Sequence, residues 1–157
     1  INSNITTNEL LSYSLPIVKD SIPGYLGPLA GIHASLDWSI KFMPKTEWIV
    51  TFAGDSPFFP INLVKNLYNE ATKKNKKIVI ANNNNRNHPV FGIWHISLIN
   101  DLEETLKKQN LRKIIHWASK HEFETFDFKY QKYDPFFNIN TQEDIYKAEE
   151  IENYFLA

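Results

Sequence analysis

Short, wholly apolar runs alternate along this chain with segments of helical periodicity, and that alternation narrows the fold more than any other feature. Trp48–Ala53 (WIVTFA) ends at Gly54, and Lys77–Ala81 (KIVIA) is a second such run. Each reads as a strand buried on both faces, and Val90–Trp94 reads as a third. Between them, Pro60–Lys73 carries a proline in its first turn and apolar residues at Leu63, Val64, Leu67 and Tyr68, which predicts a helix. Ser97–Lys108 predicts another, with Leu98, Leu102 and Leu106 repeating every four residues. Thr141 is expected to cap a last helix that has Glu143 and Asp144 in its first turn. Strands alternating with helices imply βαβ units and a mostly parallel sheet, hence an α/β fold.

At 157 residues the chain suits one domain, taken as residues 1–157, with a substantial core. With a formal charge of −1, nothing suggests a general polyanion binder or a membrane-surface protein. It leaves room for a nucleotide site, because local cations and backbone N–H groups hold phosphates without a basic surface. The lack of cysteine removes disulfides, thiolate catalysis and Cys-ligated zinc, and fits a reducing cytoplasm. No leader and no apolar run near ~18 residues is present, so neither a signal peptide nor a membrane span is expected. The chain opens Ile1-Asn-Ser-Asn without methionine, as a processed product, a fragment or a trimmed chain would.

Ligands in parallel α/β sheets sit beyond the carboxyl ends of the strands, so polar clusters after strands are the places to look for chemistry. The segment Asp20–Gly31 packs three glycines and two prolines into its last nine residues and runs into an apolar helix. Its helix-start N–H groups suit an anion or a base edge, and a simple change of chain direction explains the loop equally well. Asp55, in Gly54-Asp-Ser-Pro, stands at a strand mouth where Mg²⁺ would take one carboxylate together with phosphate oxygens. It also suits a helix cap, and both roles can hold at once. In Phe136-Phe-Asn-Ile-Asn-Thr141, an extended backbone would project Asn138 and Asn140 to one side and Phe137 and Ile139 to the other. Those amides suit a substrate or a metal's water shell, or else cap backbone groups at a strand–helix junction. His33 is expected to be a packed helix residue, and Trp38, Trp48, Trp94 and Trp117 core or edge aromatics. His95, His116 and His121 lack the spacing of a metal site, and the acidic residues after Thr141 read as a solvated face.

Taken in order, Gly27-Pro-Leu-Ala-Gly31, Gly54-Asp-Ser-Pro-Phe58, His88-Pro89 and Asn138-Ile-Asn-Thr141 resemble successive landmarks of the molybdenum cofactor guanylyltransferases. The resemblance spans essentially the whole chain and implies a Rossmann-like sheet flanked by helices, of the nucleotide-diphospho-sugar transferase type. Asn2-Ser-Asn4 is similar to the family's Asn-x-Asn at a strand end. Carried across, Asn2, Asp20 and Asp55 match positions that contact GTP, and Asp55 also matches the Mg²⁺ ligand. Gly27, Pro28, Leu29 and Gly31 are expected near the guanine and ribose. His88, Asn138 and Asn140 fall where molybdopterin is received. Arg112, in Asn110-Leu-Arg-Lys113, resembles a basic position for the pterin's phosphate, with a solvated helix charge as the plainer alternative.

The implied reaction is transfer of GMP from GTP to molybdopterin, with or without its molybdenum, releasing pyrophosphate. The resemblance admits molybdoenzyme-specific chaperones as partners. The family opens with a strand and a Leu-x-Gly-Gly-x-Ser-x-Arg-x-Gly-x-Asp-Lys loop that this sequence does not contain, so the N-terminal strand and loop are expected to be missing. The expected activity therefore belongs to the intact parent. A cytidylyl or sugar-phosphate enzyme of the same fold stays open, as does a fragment that binds cofactor or a partner without catalysis.

Overall fold

Four strands, β1 (Trp48–Thr51), β2 (Ile78–Asn83), β3 (Arg86–His95) and β4 (Glu124–Asp127), form a sheet in the order β1-β3-β2-β4. The structure is a computed structural model that describes residues 1–24, 27–108, 111–129 and 132–156, the last three by backbone alone. Tyr25 and Leu26 of the Asp20–Gly31 segment, and Asn110 ahead of Arg112, lie outside the described residues.

Alternation along the strands sorts their side chains between two cores. Ile49, Ile78, Ile80, Val90 and Trp94 pack against α2 (Pro28–Phe42), α4 (Ile99–Lys108) and α5 (Ile114–Ala118), through Leu29, Ile32, Leu36, Leu102, Leu106, Ile114 and Trp117. Trp48, Val50, Val79, Ala81, Phe91 and Ile93 meet α3 (Leu63–Lys74) and Phe136 on the other face. Helix–sheet–helix layering explains why the apolar runs are continuous: both faces are covered. Each fully buried Leu or Ile contributes about 1.5–3 kcal/mol relative to exposure, so both cores hold the sheet. Short α1 (Asn8–Ser12) buries no residue, and α6 (Gln142–Leu156) closes the chain. Among the described residues, no helix is long and apolar enough to cross a membrane.

The α/β class holds, with one strand reversed. β1, β2 and β4 run in one direction, and β3 lies antiparallel between β1 and β2. The reversal comes from the asparagine run. Asn82 and Asn83 belong to β2, and only Asn84 and Asn85 form the turn, with φ of 50° and 63°. Two consecutive positive φ values make the tight hairpin whose twist suits antiparallel strands, and asparagine tolerates that region better than most residues. Beyond the turn Ala81 pairs with His88 but Ile80 pairs with Gly92, so residues 89–91 bulge out at Pro89, which has no N–H to donate.

The helix after Asp55 begins at Leu63 rather than Pro60; Pro60 instead accepts the Leu63 N–H at 2.9 Å. α4 likewise starts at Ile99, after a single tight turn at Ile96–Leu98 in which His95 Nδ1 accepts the Ser97 N–H at 3.2 Å. The cap at Thr141 is present: Thr141 Oγ1 accepts the Asp144 N–H at 3.2 Å, and Asp144 Oδ2 accepts the Thr141 N–H at 2.9 Å. β1 ends the described sheet, with β3 on its one paired side.

Candidate active site

One corner of the site is built by Asn2, Asn4 and Asp20. Chain positions 1–3 run beside Val18 as an isolated parallel bridge, which brings Asn2 to the start of α2. Asn2 Nδ2 donates to Asp20 Oδ1 and to the Val18 carbonyl, both at 3.0 Å. Asn4 Nδ2 donates to Asp20 Oδ2 at 2.8 Å, and its Oδ1 accepts the Asp20 N–H at 2.9 Å. The approach of Asn2 to the helix depends on Gly31, since a Cβ there would stand 2.5 Å from Asn2 Oδ1. Gly27, with φ of 71°, precedes Pro28 at the first helical position, a pairing that suits a sharp entry.

The other wall is the end of β1. Residues 50–52 and Gly54 face Asn2, Pro28, Gly31, Ile32 and Ser35 across a cleft of about 520 Å³, with Val90 and Ile114 in its apolar floor. Asp55 follows Gly54 and is exposed, with Ser56 Oγ donating at a marginal 3.5 Å. It does not cap α3, which starts eight residues later. Gly54 has nothing within 4 Å of where a Cβ would be, so the approach to Asp55 is open. A smaller hollow of about 200 Å³, lined by Asn4, Asp20, Ile22, Pro23 and Gly24, lies on the far side of the asparagine corner. The cleft thus brings together Asn2, Pro28, Gly31 and the residue before Asp55, with Asp20 behind Asn2.

Leu29 departs from the expected pattern. Its side chain is fully buried in the core beneath α2, so it packs the helix instead of facing a ligand. Arg112 lies on the α2 side of the sheet, its carbonyl 3.8 Å from the Cβ position of Gly27. His88 is on the opposite face, stacked on Phe136 at 4.3 Å between ring centroids. Among the described residues its Nε2 is buried without a hydrogen-bond partner. Burial holds the imidazole below its ordinary pKa, with Asp134 opposing and Arg86 assisting. Asn138 and Asn140 are exposed while Phe137 and Ile139 are half-buried, the alternation an extended segment requires. The Ile139 N–H donates to the Asp55 carbonyl at 2.8 Å, so the asparagine segment is fastened directly to the Asp55 loop.

The sequence marks Asn4 as part of Asn2-Ser-Asn4 but assigns it no role of its own, and nothing local marks Ser21. Among the described residues no group of three or more His, Asp or Glu side chains is arranged to hold a metal.

Residues 1–123 match the MobA-like NTP transferase domain. A molybdenum cofactor guanylyltransferase of Nitrobacter hamburgensis is 36% identical over 151 residues, which cover 96% of this chain and 72% of that protein. One from Rhizobium rhizogenes is 41% identical over 140 residues, covering 86% of this chain and 64% of the relative. The crystal structure of molybdopterin-guanine dinucleotide biosynthesis protein A from Archaeoglobus fulgidus superposes with a TM-score of 0.71 at 29% identity, covering 93% of this chain and 73% of that one. The chain belongs to the MobA-like NTP transferase family, and within it to the nucleotidyltransferases related to the molybdenum cofactor guanylyltransferases.

Proposed function

We propose that this chain serves guanylyl transfer: GMP passes from GTP to molybdopterin, bearing molybdenum or not, and pyrophosphate leaves. The observation that carries the reading is the single cleft shared by Asn2, Pro28, Gly31 and Gly54. It lies where the end of β1 meets the start of α2, the kind of place that takes nucleotides in α/β sheets. In this reading Asn2 and the Gly27–Gly31 turn receive the base and ribose, and Asp20 contacts the nucleotide while holding Asn2 in place. A phosphate oxygen of the pterin attacks the α-phosphorus in line, and the bond from that phosphorus to the pyrophosphate oxygen breaks. Asp55 would hold Mg²⁺, which would offset the repulsion between the two anions. The chain's own work is positioning.

His88, Asn138 and Asn140 are proposed to receive the pterin. The unpartnered Nε2 of His88 supports that assignment, because a buried polar atom without a partner costs about 1–3 kcal/mol until something bonds to it. The tie from Ile139 to the Asp55 carbonyl would keep the pterin side in register with the nucleotide side. Arg112, on the α2 face, is proposed to meet phosphate from that side. Transfer is placed in the cytoplasm, where GTP is supplied, with molybdoenzyme-specific chaperones as recipients of the product.

The test is Asp55→Ala in the full-length protein, assayed for formation of the guanine dinucleotide cofactor. Transfer is expected to fall at least ~100-fold with the thermal midpoint little changed, since an exposed carboxylate adds little to packing. Activity within about tenfold of the parent, under ~1.4 kcal/mol, would remove Asp55 from the metal role. Thermal stabilisation by CTP in preference to GTP would overturn the choice of nucleotide.

A further inference from the structure

The nucleotide corner is built from the exposed Asn2 and Asn4 and the half-buried Asp20, yet it needs a rigid support. Asp20 accepts from Asn2 and Asn4, and both asparagines come from a segment that covers little core. Hydrogen bonds between exposed groups hold a geometry poorly unless something stiff stands behind them. Ser21, the next residue, supplies the link. Its Oγ lies 2.9 Å from Nδ1 of His33. His33 belongs to the 15-residue helix α2 and is only 5% exposed.

His33, itself buried, borders a hollow lined also by Ser21, Asp37, Asn100, Glu103 and Lys107. A leucine there would fill similar volume but offer Ser21 no polar partner. Burial does hold the imidazole below its ordinary pKa; Glu103 and Asp37 oppose that shift, and Lys107 and Lys41 assist it. Those four charges are paired within their own helices, Asp37 with Lys41 and Glu103 with Lys107. The ring also has its bond to Ser21. Two residues before His33, Gly31 admits Asn2 against the same helix. One turn of α2 thus meets both parts of the corner, Asn2 at Gly31 and the Asp20 loop at His33.

We infer that His33 is a positioning residue of the nucleotide site, acting through Ser21 to hold Asp20, and through Asp20 the amides of Asn2 and Asn4. This rests on the guanylyl-transfer reading above. The imidazole does not touch substrate. Its effect is to fix the Asp20 backbone to a helix that the core already immobilises.

The experiment compares His33→Leu, His33→Asn, Ser21→Ala and the double variant His33→Leu/Ser21→Ala in the full-length protein. His33→Leu is expected to raise KM for GTP about fivefold to tenfold and leave kcat within about twofold, because only placement of the binding groups is loosened. His33→Asn puts an amide near the position of Nδ1 and should restore KM to within about twofold. Ser21→Ala should match His33→Leu, and the double variant should be no worse than either, as two partners in one bond require. An unchanged KM in His33→Leu, failure of asparagine to rescue, or multiplying effects in the double variant would each overturn the inference. A second readout needs no nucleotide. Exchange of the side-chain amide protons of Asn2 and Asn4, followed by NMR, should quicken about threefold or more in His33→Leu while the Trp94 indole N–H stays protected. If the parent protein does not use GTP, the functional reading fails, and unchanged amide exchange separately refutes the role of His33.

Discussion

Gly31→Ala tests the nucleotide corner by setting two opposed effects against each other. In a helix interior, alanine is favoured over glycine by about 0.8–1 kcal/mol, and Gly31 is the fourth residue of α2. The added methyl would, however, lie 2.5 Å from Asn2 Oδ1 and 3.2 Å from its Cγ. Relief requires Asn2 to move by roughly an ångström, since contacts below about 3.3 Å are repulsive. Its bonds to Asp20 and the Val18 carbonyl, both 3.0 Å, cannot survive that displacement. Two lost bonds, one to a charged acceptor, cost about 1.5–3 kcal/mol, toward the lower end because they are exposed. The variant should therefore be less stable than the parent by about 0.5–2 kcal/mol, against its helix propensity. In an Asn2→Ala background the obstacle is gone, and the same substitution should stabilise by about 0.5–1 kcal/mol. Urea unfolding of the four proteins in this cycle measures both values. The reasoning fails if Gly31→Ala has the same sign in both backgrounds, because then Asn2 does not depend on the bare glycine.

Two further predictions concern parts of the sheet and its cover that the site relies on. Gly92→Ala would place a methyl 2.6 Å from the Trp94 indole, a ring that is fully buried and donates from Nε1 to Thr51 Oγ1 at 2.9 Å; urea unfolding should show a loss of at least ~2 kcal/mol, relieved by Trp94→Phe in the same chain. Burial raises the Asp101 carboxyl, but bonds from Trp117 and His121 with the charges of His121 and Lys120 outweigh it, so its pKa is lowered. A lowered carboxyl adds stability above its unfolded pKa and loses it as pH falls through the folded value. The stability deficit of Asp101→Asn, under ~1 kcal/mol at neutral pH for so exposed a group, should therefore shrink in acid titrations of unfolding as pH falls below the ordinary carboxylate range.

The strands that carry the site were legible because both of their faces are covered, which leaves a continuous apolar signature at Trp48–Thr51 and Ile78–Ala81. The direction of β3 was not legible. Four asparagines in a row look like a loop, and only the φ values of Asn84 and Asn85 separate a two-residue hairpin from a longer connection. β4 was hidden for a different reason: Glu124-Thr-Phe-Asp127 is short and polar, and it becomes a strand by pairing with β2. Leu29 was readable from the start, since Leu29, Ile32 and Leu36 fall on one helical stripe and that stripe is the buried one. The motif reading drew Leu29 toward the ligand because it treats Gly27–Gly31 as one unit.

The corner of Asn2, Asp20 and Gly31 shows what a linear pattern cannot carry. Asn2 and Asp20 are 18 positions apart and meet side chain to side chain. Their meeting depends on a third residue whose contribution is the absence of a side chain. Motif resemblance marks each of the three as a separate point of contact with nucleotide. The geometry makes them interdependent: the glycine admits the asparagine, and the aspartate accepts from its amide. A substitution at any one of them should therefore act largely through the other two. Effects on nucleotide binding among Asn2→Ala, Asp20→Asn and Gly31→Ala should accordingly be strongly non-additive, as in other groups that work as a unit.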